Sequence, residues 1–340
     1  MEFSSLEKYD LQKIYKIYDE WPQIARKSFE SSQESVNFEN IDHIVFAGMG
    51  GSGAIGNVFS SILSKTKIHV NVVKGYVLPT TVNSNTLVIT ISVSGNTDET
   101  MSILESGHKL NTKIIAFSSG GKMLKFCMKN KIQHRLVPKY HSPRASFTSY
   151  LYTILKVLYS TLKIKQQDIL ESIIELENLS KKINSSNLTK NNPSLSLAEW
   201  IVDIPMIYYP FGLKSVAIRF KNSLQENVKT HAIAEDILEA CHNGIVSWER
   251  KSNVKPILLE GFDDHAKTKE RWDILKKYFK ENNIDFYEVF SIKGSILSKI
   301  TNMIYFVDYV TIYMAILSKN DPTPVSSIDY LKDKLNISSK

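Results

Sequence analysis

The sequence predicts an α/β fold in two related halves, each a three-layer sandwich with helices on both faces of a central parallel sheet. Three observations predict it. Short apolar, β-branched runs alternate with helix-compatible stretches, and such alternation buries parallel strands beneath crossover helices. The run IDHIVFAG stops at a glycine cluster before the helix-compatible GAIGNVFSSILSK, which is how a strand, turn and helix unit reads. A second run of that kind, PMIYYPFG, recurs far down the chain, ahead of a helical stretch from about Lys214 to Asn227.

Taken in order, the chain opens with a helical pattern from about Leu6 to Ser31, in which Leu11, Ile14, Ile17, Tyr18 and Trp21 recur at helical spacing. This sets off residues 1–35 as an N-terminal helix. Residues 36–163 form the first half, with further apolar runs at KIHVNVVK, TLVITISVS, KIIAFSS and IQHRLV and helices near Thr97 to His108 and Lys122 to Lys129. Long apolar-periodic stretches follow from about Ser146 to Leu162 and Ile164 to Ile183. The polar segment NSSNLTKNNPSLS reads as an exposed linker, so residues 164–196 are a helix and linker. Residues 197–318 make the second half, with strands at PMIYYPFG, VKPILLEG and DFYEVFS and a helix from about Ser295 to Leu317. Residues 319–340 are a turn at NDPTP and a last short helix.

Composition narrows the function. The 340 residues are 43% hydrophobic and 23% charged, as in folded globular chains. Charges run throughout the first thirty residues, which predicts no signal peptide or spanning helix there. Two scattered cysteines, Cys127 and Cys241, cannot build a disulfide framework, and a reducing cytoplasm fits. A formal charge of +7 suits an anionic partner, but the lysines are dispersed and do not form the aromatic-interleaved basic run of a nucleic-acid binder.

Two loops carry the chemistry. Gly48, Gly50 and Gly53 in GMGGSG match the G-x-G-x-x-G fingerprint between a strand and a helix, which also fits a dinucleotide site or a plain tight turn. A dinucleotide ribose needs an acid at the end of the second strand, yet that strand ends in Val73 and Lys74. No acidic residue occurs between Asp42 and Asp98, and such a stretch favours phosphate over an NAD ribose; Lys74 leaves an NADP enzyme open. In TISVSGNTDET, Ser92, Ser94 and Thr97 surround Gly95 and Asn96 just before a helix, so hydroxyls and helix-start amides converge as a dianionic phosphate requires. A plain N-cap at Thr97 would explain one of those hydroxyls. The eight histidines form no H-x-x-x-H or Cys/His cluster, so no metal is predicted, and a phosphate-holding site of this kind calls for no cofactor.

GMGGSG, SVSGNTDET and HSPRASF, in that order, resemble the phosphosugar-binding SIS domains of sugar isomerases, and specifically the bifunctional phosphoglucose/phosphomannose isomerases. VAIRFKNSLQENVKTHA, EACHNGIVSWE and DPTPVSSIDYLK extend the likeness over nearly the whole chain from about Val45. The resemblance implies two flavodoxin-like SIS halves and conversion of glucose 6-phosphate and mannose 6-phosphate to fructose 6-phosphate through ring opening and an enediol. It implies that Gly51, Ser52, Ser92, Ser94 and Thr97 hold the substrate phosphate and its neighbouring hydroxyls, and that Arg144 meets developing negative charge. By the same likeness Glu226 is the base, His242 opens the ring, Lys332 of the C-terminal helix assists, and Thr323 bears on the two C2 epimers. A homodimer is implied as well, with His242 reaching a neighbouring subunit's site. His231 has no matching role. Val93 departs from the family, which often has an aromatic there, and so does Ser146, where a small apolar residue is common.

The implied roles suit the residue types. A partly desolvated carboxylate can shuttle one proton between adjacent carbons, histidine exchanges protons near neutrality, and arginine keeps its charge at any working pH. A non-catalytic phosphosugar regulator is the competing class; it usually adds a DNA-reading helix-turn-helix, which a single N-terminal helix does not supply.

Overall fold

The computed structural model of the chain describes residues 1–338. Its N-terminal segment folds as three short helices, α1 (Phe3–Tyr9), α2 (Ile14–Asp19) and α3 (Trp21–Phe29), where the periodicity predicts one. Asp10 causes the break: its carboxylate accepts the amides of Ile14 at 3.0 Å and Tyr15 at 2.9 Å and so caps a new helix. Lys13 turns the chain with a left-handed φ of 54°, and Pro22 opens α3 in its first turn.

In the first half, β1 (His43–Ala47), β2 (His69–Val73), β3 (Thr86–Ser92), β4 (Lys113–Ser118) and β5 (Gln133–Leu136) form a parallel sheet in the order β2-β1-β3-β4-β5. Helices α4 (Gly50–Leu63), α5 (Asp98–Lys109) and α6 (Gly121–Asn130) cross between strands, and α7 (Phe147–Leu158) closes the unit. β1 and β3 are buried along their whole length, as central strands covered on both faces must be. After α8 (Gln166–Ile183) and α9 (Pro193–Trp200), a second parallel sheet follows, of β6 (Ile204–Tyr209), β7 (Ile233–Asp236), β8 (Val254–Glu260) and β9 (Tyr287–Phe290). Its order, β7-β6-β8-β9, repeats that of the first sheet with one strand fewer. Both follow the doubly wound order in which ligands sit beyond the strand ends where the order reverses, between β1 and β3 and between β6 and β8.

The remaining helices are α10 (Lys214–Ser223), α11 (Ile237–Ala240), α12 (Ala266–Glu281), α13 (Ile296–Leu317) and α14 (Ser326–Ser338). α13 is long and apolar enough to cross a membrane, yet every residue from Leu297 to Ile316 is buried inside the protein. It is the central pillar of the core. Tyr305 donates to the Tyr18 carbonyl at 2.8 Å, Tyr309 bonds Asp19, and Trp21 stacks on Tyr305 at 5.6 Å, so the N-terminal helices are packed onto the pillar. Truncating a buried aromatic such as Trp21 costs about 3–5 kcal/mol, so this segment is integral to the fold.

The stretch that reads as an exposed linker is partly ordered core. Asn192 is fully buried, caps α9 by accepting the amides of Ser194 and Leu195, and donates to the Ile183 and Asn187 carbonyls. Its polarity reflects capping, which composition alone cannot separate from solvation. Nor does the sequence announce β7: IAED ends in two carboxylates, and no apolar run marks an edge strand of that length.

Candidate active site

The site starts where β1 must become α4 within a few residues. Gly50 takes a left-handed φ of 50° at the turn. A Cβ on Gly51 would lie 2.9 Å from the Pro143 carbonyl oxygen and 3.2 Å from the Arg144 nitrogen, so only glycine lets α4 begin beneath the loop that carries Arg144. Ser52 is buried in the same turn. No side chain caps the first amides of α4, and its first turn holds no acid, which leaves the positive end of the helix open to an anion.

One strand over, at the end of β3, the buried Ser92 hydroxyl pairs with that of Thr97 at 2.9 Å and accepts the Gly95 amide at 3.0 Å. Ser94 is exposed and accepts the Asn96 amide at 3.2 Å. Thr97 occupies the N-cap position of α5, but its hydroxyl caps no amide. A plain cap therefore does not account for Thr97. Gly95, with φ 68°, is held so tightly against Gly120 that a Cβ would lie 1.9 Å from the Gly120 carbonyl oxygen.

The other half supplies the carboxylate. α10 does not end regularly: Leu224–Val228 widens into a π turn and Lys229 follows with a left-handed φ of 65°. Glu226 projects from this turn. Arg144, 3% exposed, donates from Nη1 to Glu226 Oε2 at 3.1 Å and from Nη2 to the carbonyls of Pro322 at 2.8 Å and Thr323 at 2.9 Å. Lys229 Nζ donates to the Glu226 carbonyl at 2.5 Å and to the Pro322 carbonyl at 3.3 Å. Burial, helped by the Arg144 guanidinium, pushes the Lys229 amine below its ordinary value. Two cations thus tie the turn before α14 to the Glu226 segment.

A cavity of about 730 Å³ opens here, with Gly50 on its first-half side and Glu226, Lys229, His231 and Ser326 among its other lining residues. Its size suits a small ligand. A second cavity of about 670 Å³ is lined by Glu199 and Asp203 and by no basic side chain, which ill suits a phosphate.

The predicted residues fall into three groups. Gly51, Arg144 and Glu226 are contiguous. Ser92, Ser94 and Thr97 stand together at the adjacent strand end and do not line the cavity themselves. Thr323 meets Arg144 through its main chain, because its hydroxyl donates to Asp321 at 2.6 Å. His242 is exposed in the turn after α11, and Lys332 is 67% exposed beside Asp329; neither lines the cavity of its own chain. His231, which has no matching role in the sequence reading, does line it. Lys229 escapes the sequence reading too, and its signal is faint: a lysine three positions after a glutamate reads as an ordinary helical pair.

Two parallel αβα halves meet at a glycine turn, with an arginine of one facing a carboxylate of the other, an arrangement able to hold a small anion beside a group that moves protons. The SIS domain model matches residues 37–152, and the bacterial phospho-glucose isomerase C-terminal SIS domain matches residues 190–335. The chain is 35% identical to a bifunctional phosphoglucose/phosphomannose isomerase of Caldicellulosiruptor bescii over 92% of this chain and 96% of that one. It is 29% identical to a bifunctional phosphoglucose/phosphomannose isomerase of Aquifex aeolicus, over 96% of this chain and 99% of that one. The fold also matches a solved hypothetical protein of Thermus thermophilus, with TM-score 0.76, 12% identity and 98% and 92% coverage. The C-terminal domain of a glucosamine-fructose-6-phosphate aminotransferase from Francisella tularensis matches with TM-score 0.70, 17% identity and 92% and 98% coverage. The chain belongs to the bifunctional phosphoglucose/phosphomannose isomerase family.

Proposed function

We propose that this chain interconverts glucose 6-phosphate or mannose 6-phosphate with fructose 6-phosphate. The observation that carries the reading is the 3.1 Å contact between Arg144 and Glu226 beside a cavity that the glycine turn also lines. Once the ring is open, Glu226 removes the C2 proton and returns it at C1 while the O2 hydroxyl proton passes to O1, so the C1 carbonyl becomes a hydroxyl and C2 becomes the ketone. The reaction is internally balanced. Oε1 of Glu226 has no hydrogen-bond partner among the described residues, which suits it to accept that proton. Arg144, a fixed cation beside the base, offsets the charge of the enediolate; one well-placed donor of this kind contributes roughly 3–4 kcal/mol.

The phosphate rests on the amides and hydroxyls of Gly51, Ser52, Ser92, Ser94 and Thr97. Ring opening by His242 and assistance from Lys332 require a second copy of the chain, because both side chains lie outside their own cavity. The exposed Ile328, Tyr330 and Leu331 on α14 offer that copy an apolar face and support a homodimer. On this reading residues 36–163 and 197–318 are the two SIS units, and the enzyme works in the cytoplasm.

A coupled assay of fructose 6-phosphate formation tests the proposal. Activity is expected on both aldose phosphates and should survive a chelator. Binding of both substrates without turnover would make the chain a phosphosugar-binding regulator instead.

A further inference from the structure

Arg219 lies on α10, the helix that leads to Glu226, and is 2% exposed. Its Nε lies 3.1 Å from both carboxylate oxygens of Asp308 on α13, and its Nη2 donates to Asp308 Oδ2 at 2.6 Å. The same Nη2 donates to the main-chain carbonyl of Arg144 at 2.9 Å. Phe147 faces the guanidinium, with 4.9 Å between its ring centre and Cζ. Asp308 also gathers the neighbours of Glu226. Ser223 Oγ donates to Asp308 Oδ1 at 2.8 Å. Asn227 Nδ2 donates to Thr311 Oγ1 at 2.8 Å, and that hydroxyl donates to the Asp308 carbonyl at 2.7 Å.

We propose that Arg219 is a positioning residue for proton transfer: by holding the Arg144 main chain against the Asp308 hub, it sets the Arg144 guanidinium opposite the Glu226 carboxylate. The inference rests on the isomerase reading above. Stability alone does not call for this pair, since well-packed apolar replacements of buried ion pairs often do as well. An apolar side chain cannot donate to the Arg144 carbonyl. Nor can lysine replace the planar fork, because one ammonium does not reach a carboxylate and a carbonyl in a fixed plane. Trp21 Nε1 donates to the next carbonyl, Ala145, at 3.0 Å, so losing Arg219 would swing the loop about this anchor and displace Arg144 without releasing it.

The test uses Arg219→Lys and Ser223→Ala in the full chain. Competent sites are counted by titration with glucitol 6-phosphate, which has no carbonyl to isomerise, and kcat for glucose 6-phosphate is expressed per competent site. This quantity ignores any misfolded fraction, which a merely structural role would raise. For Arg219→Lys, binding should remain stoichiometric while kcat per site falls roughly 10- to 100-fold, the effect of about an ångström of misplacement. Ser223→Ala, which leaves the ion pair buried and removes one Asp308 anchor, should lower the same quantity by a smaller factor. Wild-type kcat per site in both variants, or loss of sites and activity together, overturns the proposal. An inactive wild-type chain would instead overturn the isomerase reading, an outcome distinct from an active wild type whose variants turn over at full rate.

Discussion

The two halves repeat one strand order but end their central strands in opposite chemistry. β3 finishes at Ser92 and β8 at Glu260, equivalent positions beside the reversal of each sheet. Around Ser92 stand Ser94, Thr97 and the uncapped start of α4, with no acid between Asp42 and Asp98. Around Glu260 stand Asp263, paired with Lys299, and Asp264, which accepts the Gly261 amide at 2.9 Å and the Trp272 indole at 3.0 Å. Lys276 bridges Glu260 at 3.2 Å and Glu288 at 3.0 Å. The second crevice is therefore filled by its own ion pairs and repels a dianion. The proposed function divides the duplicated architecture: the first half would hold the phosphate, and the second would contribute Glu226 from the π turn after α10. On the proposed reading the active site is shared between the halves, because neither half carries both functions.

The sharpest way to break the comparison is to remove the second half's contribution. Glu226→Gln keeps the side chain's size and its Arg144 contact while abolishing proton acceptance, and kcat should fall roughly 10²- to 10⁴-fold. Exchange of the C2 proton with deuterated solvent should stop while glucitol 6-phosphate still binds. Exchange continuing at the wild-type rate would place the base elsewhere.

Most of this division is legible in the sequence. The strand and glycine junctions are readable because a buried parallel strand must be apolar and must turn sharply, and IDHIVFAG followed by GMGGSG states both conditions. Ser92, Ser94 and Thr97 are readable for the same reason, being packed into a few residues after a strand. What escapes depends on long-range geometry. Nothing local marks Arg219 and Asp308 as partners, since they are far apart in sequence. The π turn is also invisible, because LQENV is compatible with an ordinary helix. His231 sits in a family-like segment without a matching role, although its place two residues after the left-handed Lys229 turns it to the cavity wall. Asn192 misleads in the opposite direction: a polar run reads as solvated when its central amide is buried and capping.

A gentler test makes the first half resemble the second. Thr97→Asp places a carboxylate at the N-cap of α5, where Asp is as good a cap as Thr or better, so the melting temperature should hold or rise. Substrate binding should suffer regardless, because a fixed negative charge then faces the dianion. An unscreened pair at this range costs a few kcal/mol at an effective dielectric of about 20, and KM should rise roughly 10- to 100-fold. Improved stability with an unchanged KM would show that the hydroxyl loop does not hold the phosphate.

The smallest effect probes the second crevice. Burial pushes the Glu260 carboxyl up to about 7 from 4.5, against the lowering pull of Lys276. A carboxyl whose value is raised by folding binds its proton more tightly in the folded state than in the unfolded one. Its contribution to stability is therefore complete below about pH 4.5 and is lost as pH climbs through about 7. Glu260→Gln, neutral at every pH, should escape that loss. Its stability relative to wild type should rise by about 1–3 kcal/mol between pH 5 and pH 8 in thermal melts, with KM for sugar phosphates unaltered. A gap between variant and wild type that stays constant across this range would mean that Lys276 neutralises Glu260 fully. A shift in KM would mean that the second crevice is not closed to substrate, and the division of labour between the halves would have to be redrawn.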